Sequence, residues 1–268
     1  QDSKSGVVIN VLLKNGADAN VQDWKGRTAL MYATDHPPTV TALLKGGADI
    51  NIQDQRGITV LMSSQTGSSE EVVNDLLKNG ADINIKDNRT ALMHAAQQNK
   101  QNYVTELLKH GAAAGINLKD RHGKTPLMYS AREMRKPEKS AAVIPILLKN
   151  GADINAQDKF NNTALIHAAQ SDNTAGAAVL LKNGADVNAK DQYGVTPLMF
   201  ASQGWGENTD LIALHLKNGA ELNAQDDDGW TPLMYATNDN REVAVSALQE
   251  AGADTTLKNK RGETAAEM

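Results

Sequence analysis

Residues 147–155 read Leu147-Leu-Lys-Asn-Gly-Ala-Asp-Ile-Asn155, and close copies of the phrase begin at Leu12, Leu43, Leu76, Leu107, Leu180, Leu216 and Leu248. The last two drift to LKNGAELN and LQEAGADTT. About eight residues after each phrase comes a G-x-T-x-L string in most copies. A period of about 33 residues marks one supersecondary unit copied in tandem. Such a unit buries its apolar face only against its neighbours. The expected fold is therefore an all-α solenoid, which offers a long surface more readily than a closed catalytic pocket.

The copy from Asp191 to Gln225 shows how the unit is built. Asp191-Gln-Tyr-Gly194 reads as a turn, because glycine reaches positive φ without a steric penalty. Thr196 can cap a helix with its hydroxyl, and Pro197 suits the first helical position. The pair recurs at Thr125-Pro126 and Thr231-Pro232. A first helix of roughly eight residues should follow, then a second ending at Leu214-His-Leu216. Gly219 sits where a helix needs a left-handed cap, and every copy has glycine there. The arm Ala220-Glu-Leu-Asn223 runs on into the next turn.

This unit resembles the ankyrin repeat. The residues that carry the likeness are Thr125-Pro-Leu-Met-Tyr-Ser-Ala131 and Leu147 to Asn155, with equivalents in every full copy. The resemblance implies paired antiparallel helices with projecting β-hairpin loops. It also implies a binding role toward proteins. One departure is systematic: the family's histidine after Thr-Pro-Leu is here Met31, Met62, Met93, Met128, Met199 and Met234, with Ile166 once. Methionine fills irregular apolar gaps, so this column reads as packing between repeats. The expected organisation is a single array over 1–268. Full repeats fall at 23–53, 54–86, 87–119, 120–157, 158–190, 191–225 and 226–258. A partial repeat at 1–22 precedes them and a more polar cap at 259–268 follows. The opening partial repeat reads as truncated.

Composition narrows the function. A net charge of −5 and a pI near 5.7 argue against binding driven by phosphate neutralisation, so no nucleic-acid partner is expected. No apolar run approaches the ~18 residues of a membrane helix. Without cysteine there is no disulfide, thiol catalysis or thiolate metal site. The compartment stays open between the cytoplasm and, if Gln1 follows a removed signal, export.

Motifs that hint at chemistry fail on inspection. His122-Gly-Lys-Thr125 resembles the end of a phosphate loop, but Leu118 stands where its first glycine belongs. Asp226-Asp-Asp-Gly229 resembles a calcium loop, but Ala224 occupies the first ligand position. The six histidines show no i,i+4 zinc pairing. No cofactor, metal or catalytic residue is expected, and the chain reads as a non-enzymatic monomer.

The aromatics are sorted. Four residues after each recurring Thr the chain reads Tyr32, Ser63, His94, Tyr129, His167, Phe200 and Tyr235. One turn further lie polar residues that include Gln97 and Arg132. The hairpin tips add Trp24, Phe160, Tyr193 and Trp230, so eight of the ten aromatics map to the concave face of an ankyrin-like array. Trp205 lies in a nearby connection. Binding surfaces favour such residues. The other reading is a row half buried against the neighbouring hairpin. Arg27, Arg56 and Arg89 make one stretch of the hairpin edge basic, while Asp226, Asp227 and Asp228 make the far end acidic, which would orient a partner.

Two functions follow. The first is a scaffold that binds a protein or peptide along the concave face, with Tyr129, His94 and Phe160 central. The alternative is an accessory or inhibitory domain of a larger enzyme or channel. Residues 87–145 break the repeat rules, through the shortened turn Asp87-Asn-Arg-Thr90, an insertion near Met134 to Lys139, and Pro145 within a helix. They are expected to be a specific epitope or, alternatively, tolerated drift in a surface loop, and the seam between 87–119 and 120–157 is expected to be the weakest.

Overall fold

The computed structural model describes residues 2–64, 70–132, 137–204 and 209–268. The chain divides into two compact units, Gln1–Ile116 and Asn117–Met268. The first holds α1 (Asp2–Lys14), α2 (Ala29–Tyr32), α3 (Pro37–Lys45), α4 (Val60–Ser63), α5 (Glu70–Lys78), α6 (Ala91–Gln97) and α7 (Gln101–Lys109), then a 3-10 turn at Ala112–Gly115. The second holds α8 (Pro126–Ala131), α9 (Pro137–Lys149), α10 (Ala164–Gln170), α11 (Thr174–Lys182), α12 (Pro197–Ser202), α13 (Asp210–Lys217), α14 (Pro232–Asn238) and α15 (Glu242–Glu250). A 3-10 turn at Ala265–Glu267 packs on α14.

Within each unit first helices pack on first helices and second on second. Leu61, Leu76, Leu92 and Leu107 core the first unit; Leu127, Leu147, Leu165, Leu180, Leu198 and Leu233 core the second, all essentially without exposure. Each such side chain contributes about 1.5–3 kcal/mol.

Every recurring Thr caps its helix. Thr59, Thr90, Thr125, Thr163, Thr196 and Thr231 each accept the backbone N–H three residues on; Thr28 holds the extended cap conformation without that bond. The methionine column is buried, as packing requires. It also has a second role. Where proline follows the cap, the backbone N–H of Thr125, Thr196 and Thr231 donates to the sulfur of Met128, Met199 and Met234 at 3.3–3.4 Å. A thioether, though a weak acceptor, here completes a reciprocal cap.

The first helices are shorter than the expected eight residues. They run from four residues in α2 and α4 to seven in α6, α10 and α14. Pro37 and Pro38 open α3, and His36 before them is non-helical, at φ −127° and ψ 85°. The expected hairpins are present without strands among the described residues. Each closes instead through bonds such as Asp191 N–H to Val195 O and Gly194 N–H to Asp191 O, both 3.1 Å. Asn161, at φ 60°, takes the glycine place, and its turn keeps the equivalent bonds at 3.0 and 3.1 Å. The 87–90 turn departs as its missing residues require. Asn88 and Arg89 N–H both donate to the Asp87 side chain, at 2.7 and 2.6 Å.

Arm asparagines join consecutive repeats. Asn51 accepts Asp82 N–H and donates to Gly80 O; Asn117, Asn188 and Asn20 do the same for Asp153 and Gly151, Glu221 and Gly219, and Asp49 and Gly47. Pro145 lies inside α9 on its exposed side, where the carbonyl it leaves without a donor can meet water.

Amide hydrogen exchange tests the irregular stretch. The amides of 87–90 should exchange faster than those of the complete turn at 158–162, because fewer backbone bonds hold them. Equal protection at both turns would count against this.

Candidate functional site

The hairpin aspartate organises the candidate face. In Asp120, Oδ1 accepts the N–H groups of His122 and Lys124, both at 2.8 Å. Oδ2 accepts the hydroxyl of Tyr129 at 2.6 Å. The first oxygen fixes the turn and the second ties it to the first helix. Tyr32 donates to Asp23 at 2.8 Å and Tyr235 to Asp226 at 2.6 Å in the same way. Histidine can replace the tyrosine: His167 Nε2 lies 2.9 Å from Asp158 Oδ2, and His94 Nε2 3.3 Å from Asp87 Oδ2.

For most of the aromatic row this geometry favours the half-buried reading over the exposed one. His94 and His167 are buried, at 8% and 3% exposure, and hold their own hairpins. Tyr129 and Tyr235 are half buried, and Phe200 packs with Tyr235 on Val195, Met199 and Ala224. The tyrosines and histidines of the row are tied to the hairpin of their own repeat. The tips behave differently. Trp24, Phe160 and Tyr193 stand 79%, 48% and 63% exposed, and Tyr32 joins them at 56%. Trp230 is half buried, its ring 5.3 Å from that of Tyr235. Trp205 lies outside the described residues.

Neighbouring tips are held in register. Gln192 N–H donates to Phe160 O and Asp227 N–H to Tyr193 O, both at 2.9 Å. Phe160 and Tyr193 are thus presented on bonded, adjacent turns. Of the polar candidates, Gln97 and Arg132 are exposed, and Arg89 donates to Gln97 at 2.5 Å. Arg27 stacks 5.7 Å from the Tyr32 ring centroid, and Arg56 projects 69% exposed.

Sequence reasoning missed the aspartates. The signal was present as a spacing of nine residues from Asp23, Asp120, Asp158 and Asp226 to Tyr32, Tyr129, His167 and Tyr235.

Models of ankyrin repeats match this chain over residues 3–87, 60–158, 134–207, 180–236 and 228–260. The chain belongs to the ankyrin-repeat family. Such repeats are protein-interaction modules. Among similar proteins, mouse "Ankyrin repeat and SOCS box protein 6" is 41% identical over 85 residues, which are 31% of this chain and 19% of the relative. The human protein of that name is 40% identical over the same shares. "Putative ankyrin repeat protein FPV233" of fowlpox virus is 32% identical over 78 residues, 29% of this chain and 14% of the relative. The matched stretch is thus under a fifth of each relative's length.

The histidine ties give these ankyrin repeats a pH dependence. Burial lowers the pKa of His167 below 6.5 and outweighs the raising effect of Asp158. Burial also lowers His94 and His215. Burial raises Asp158, but His167 and the backbone N–H groups of Phe160 and Asn162 hold it below 3.8. As pH falls through about 6.5, the unfolded chain takes up protons that the folded histidines refuse, so stability drops. The Asp158 contribution persists through that window and is lost only at lower pH. Each histidine can contribute a slope of at most ~1.4 kcal/mol per pH unit. The urea midpoint should fall between about pH 7 and pH 5. The substitution His167→Tyr, which installs the residue of sister repeats, should make the fall shallower. An unaltered slope would remove His167 from the account.

Proposed function

We propose that this chain is a non-enzymatic scaffold that binds a protein or peptide along the face formed by its hairpin tips and first helices. The observation that carries the reading is where the exposed aromatic area lies. Trp24 and Tyr32 in the first unit, and Phe160 and Tyr193 in the second, belong to the hairpin tips and first helices of their own unit, and Tyr103, on a second helix, is buried. An exposed Trp or Tyr held on a bonded turn loses little entropy on binding and buries a large area. Because His94 and Tyr129 serve their own hairpins, the anchors in the second unit are Phe160 and Tyr193.

Affinity capture with crosslinking mass spectrometry would identify the partner, and calorimetry would then compare variants. Phe160→Ala and Tyr193→Ala should each cost about 2 kcal/mol of binding, as interface anchors do. Lys182→Ala, at the exposed end of α11, should cost under ~0.5 kcal/mol. Loss at Lys182 with no loss at the tips would move the site off this face.

A further inference from the structure

In the second full repeat, Ser63 stands where sister repeats carry a tyrosine or histidine tied to the hairpin aspartate. The small side chain leaves a recess of about 330 Å³. Arg27, Asp54, Arg56, Met62, Ser63 and His94 are among the residues that line it. With no aromatic tip to take, the Asp54 Oδ2 is approached by two guanidinium groups. Arg27 Nε lies at 3.6 Å and an Arg56 Nη at 3.5 Å. The other oxygen accepts Arg56 and Ile58 N–H at 2.8 and 3.0 Å. The Asp54 side chain is 2% exposed and Arg56 is 69% exposed.

Two arginines thus share one carboxylate oxygen at long range. A guanidinium carries five N–H donors, so this arrangement leaves donors over on both. His94 is neutral near pH 7, since burial holds its pKa below 6.5. The lining then carries two positive charges and one negative. That surplus matches a monoanion better than a phosphate, which carries about −1.5 to −2. In the hairpin that carries Arg27, Lys25 Nζ sits 4.5 Å from the ring centroid of Trp24, and Gln55 Nε2 donates to Trp24 O at 3.0 Å.

We propose that this recess seats an acidic residue of the partner: an aspartate or glutamate side chain enters where Ser63 has replaced an aromatic, and its carboxylate is bound by Arg27 and Arg56. This rests on the scaffold reading and names the partner's chemistry as an acidic, extended segment. The whole chain is itself acidic, at −5, so a preference for a polyanionic segment would come from this local site rather than from overall charge.

The test uses the full chain at low salt and a fluorescently labelled peptide alternating glutamate with glycine. Its glutamine counterpart and a phosphoserine counterpart serve as comparisons. The glutamate peptide should bind and the glutamine peptide should not. Arg56→Gln, at an exposed site that keeps the fold, should weaken binding about tenfold, the scale of a charge-assisted bidentate contact. Ser63→Tyr restores the sister-repeat residue, so it should fold and weaken binding by a similar factor. The proposal is overturned if Arg56→Gln binds as tightly as the parent chain. It also falls if a folded Ser63→Tyr variant does so, if glutamate is not preferred over glutamine, or if the phosphoserine peptide binds about tenfold tighter than the glutamate one. The scaffold reading fails separately. If Phe160→Ala and Tyr193→Ala abolish partner binding without any glutamate preference at Ser63, only the recess proposal is lost. If glutamate binding obeys Arg56 and Ser63 while the captured partner ignores every variant on this face, the recess stands and the scaffold is lost.

Discussion

The carboxylate of the hairpin aspartate is the constraint on which the face depends. A turn without a strand ladder has few bonds of its own, yet it must hold its tip in a fixed direction. The aspartate supplies this by dividing its oxygens. In Asp158, Oδ1 takes the N–H groups of Phe160 and Asn162, while Oδ2 meets His167 on the following helix. A carboxylate accepting several N–H bonds stays ionised, and the charge strengthens each bond. Asp158 is accordingly held below its ordinary pKa although it is buried. The tip that carries Phe160 is therefore rigid because of a group that never reaches the surface.

This explains what could and could not be read from the sequence. The helices, their threonine caps and the left-handed glycines follow from local rules, and a period repeated eight times averages out local noise. The irregular turn at 87–90 was also legible, since a missing residue leaves no room for the usual bonds. Exposure of the aromatic row was not. Helical spacing places Tyr32, His94 and His167 on one side of their helices, but it does not say whether a polar tip finds an acceptor nearby. That depends on an aspartate across a turn, nine positions earlier for Tyr32 and His167 and seven for His94. Phe160 and Tyr193 were easier to place, because a hairpin tip projects away from the helices whatever its neighbours do.

The methionine column carries a related lesson. Its burial follows from apolar spacing alone, but its bond to the cap does not. In helices that open with proline, the capping threonine's own N–H needs an acceptor, and glutamate would usually supply one three residues on. Here Met128, Met199 and Met234 bring a sulfur to that place from within the core. One side chain then serves packing and capping together, which a polar residue at that buried position could not do without losing apolar contact.

The position nine residues after the hairpin aspartate therefore has two uses within one fold. When it holds a tyrosine or histidine, the tip bonds the aspartate and ties the turn to the first helix. Ser63 and Phe200 lack such a tip, and a recess opens beside each. Near Ser63 the unclaimed Asp54 draws in Arg27 and Arg56, which makes the recess cationic. Near Phe200 the ring settles on Val195, Met199 and Ala224, and Gln170, Asp172 and Gln203 supply the polar lining. The repeats that keep the tie hold their turn to their first helix, and the repeats at Ser63 and Phe200 leave a recess beside it. A repeat protein can gain specificity in this way without altering its backbone, by changing one residue whose structural duty the neighbouring copies still perform.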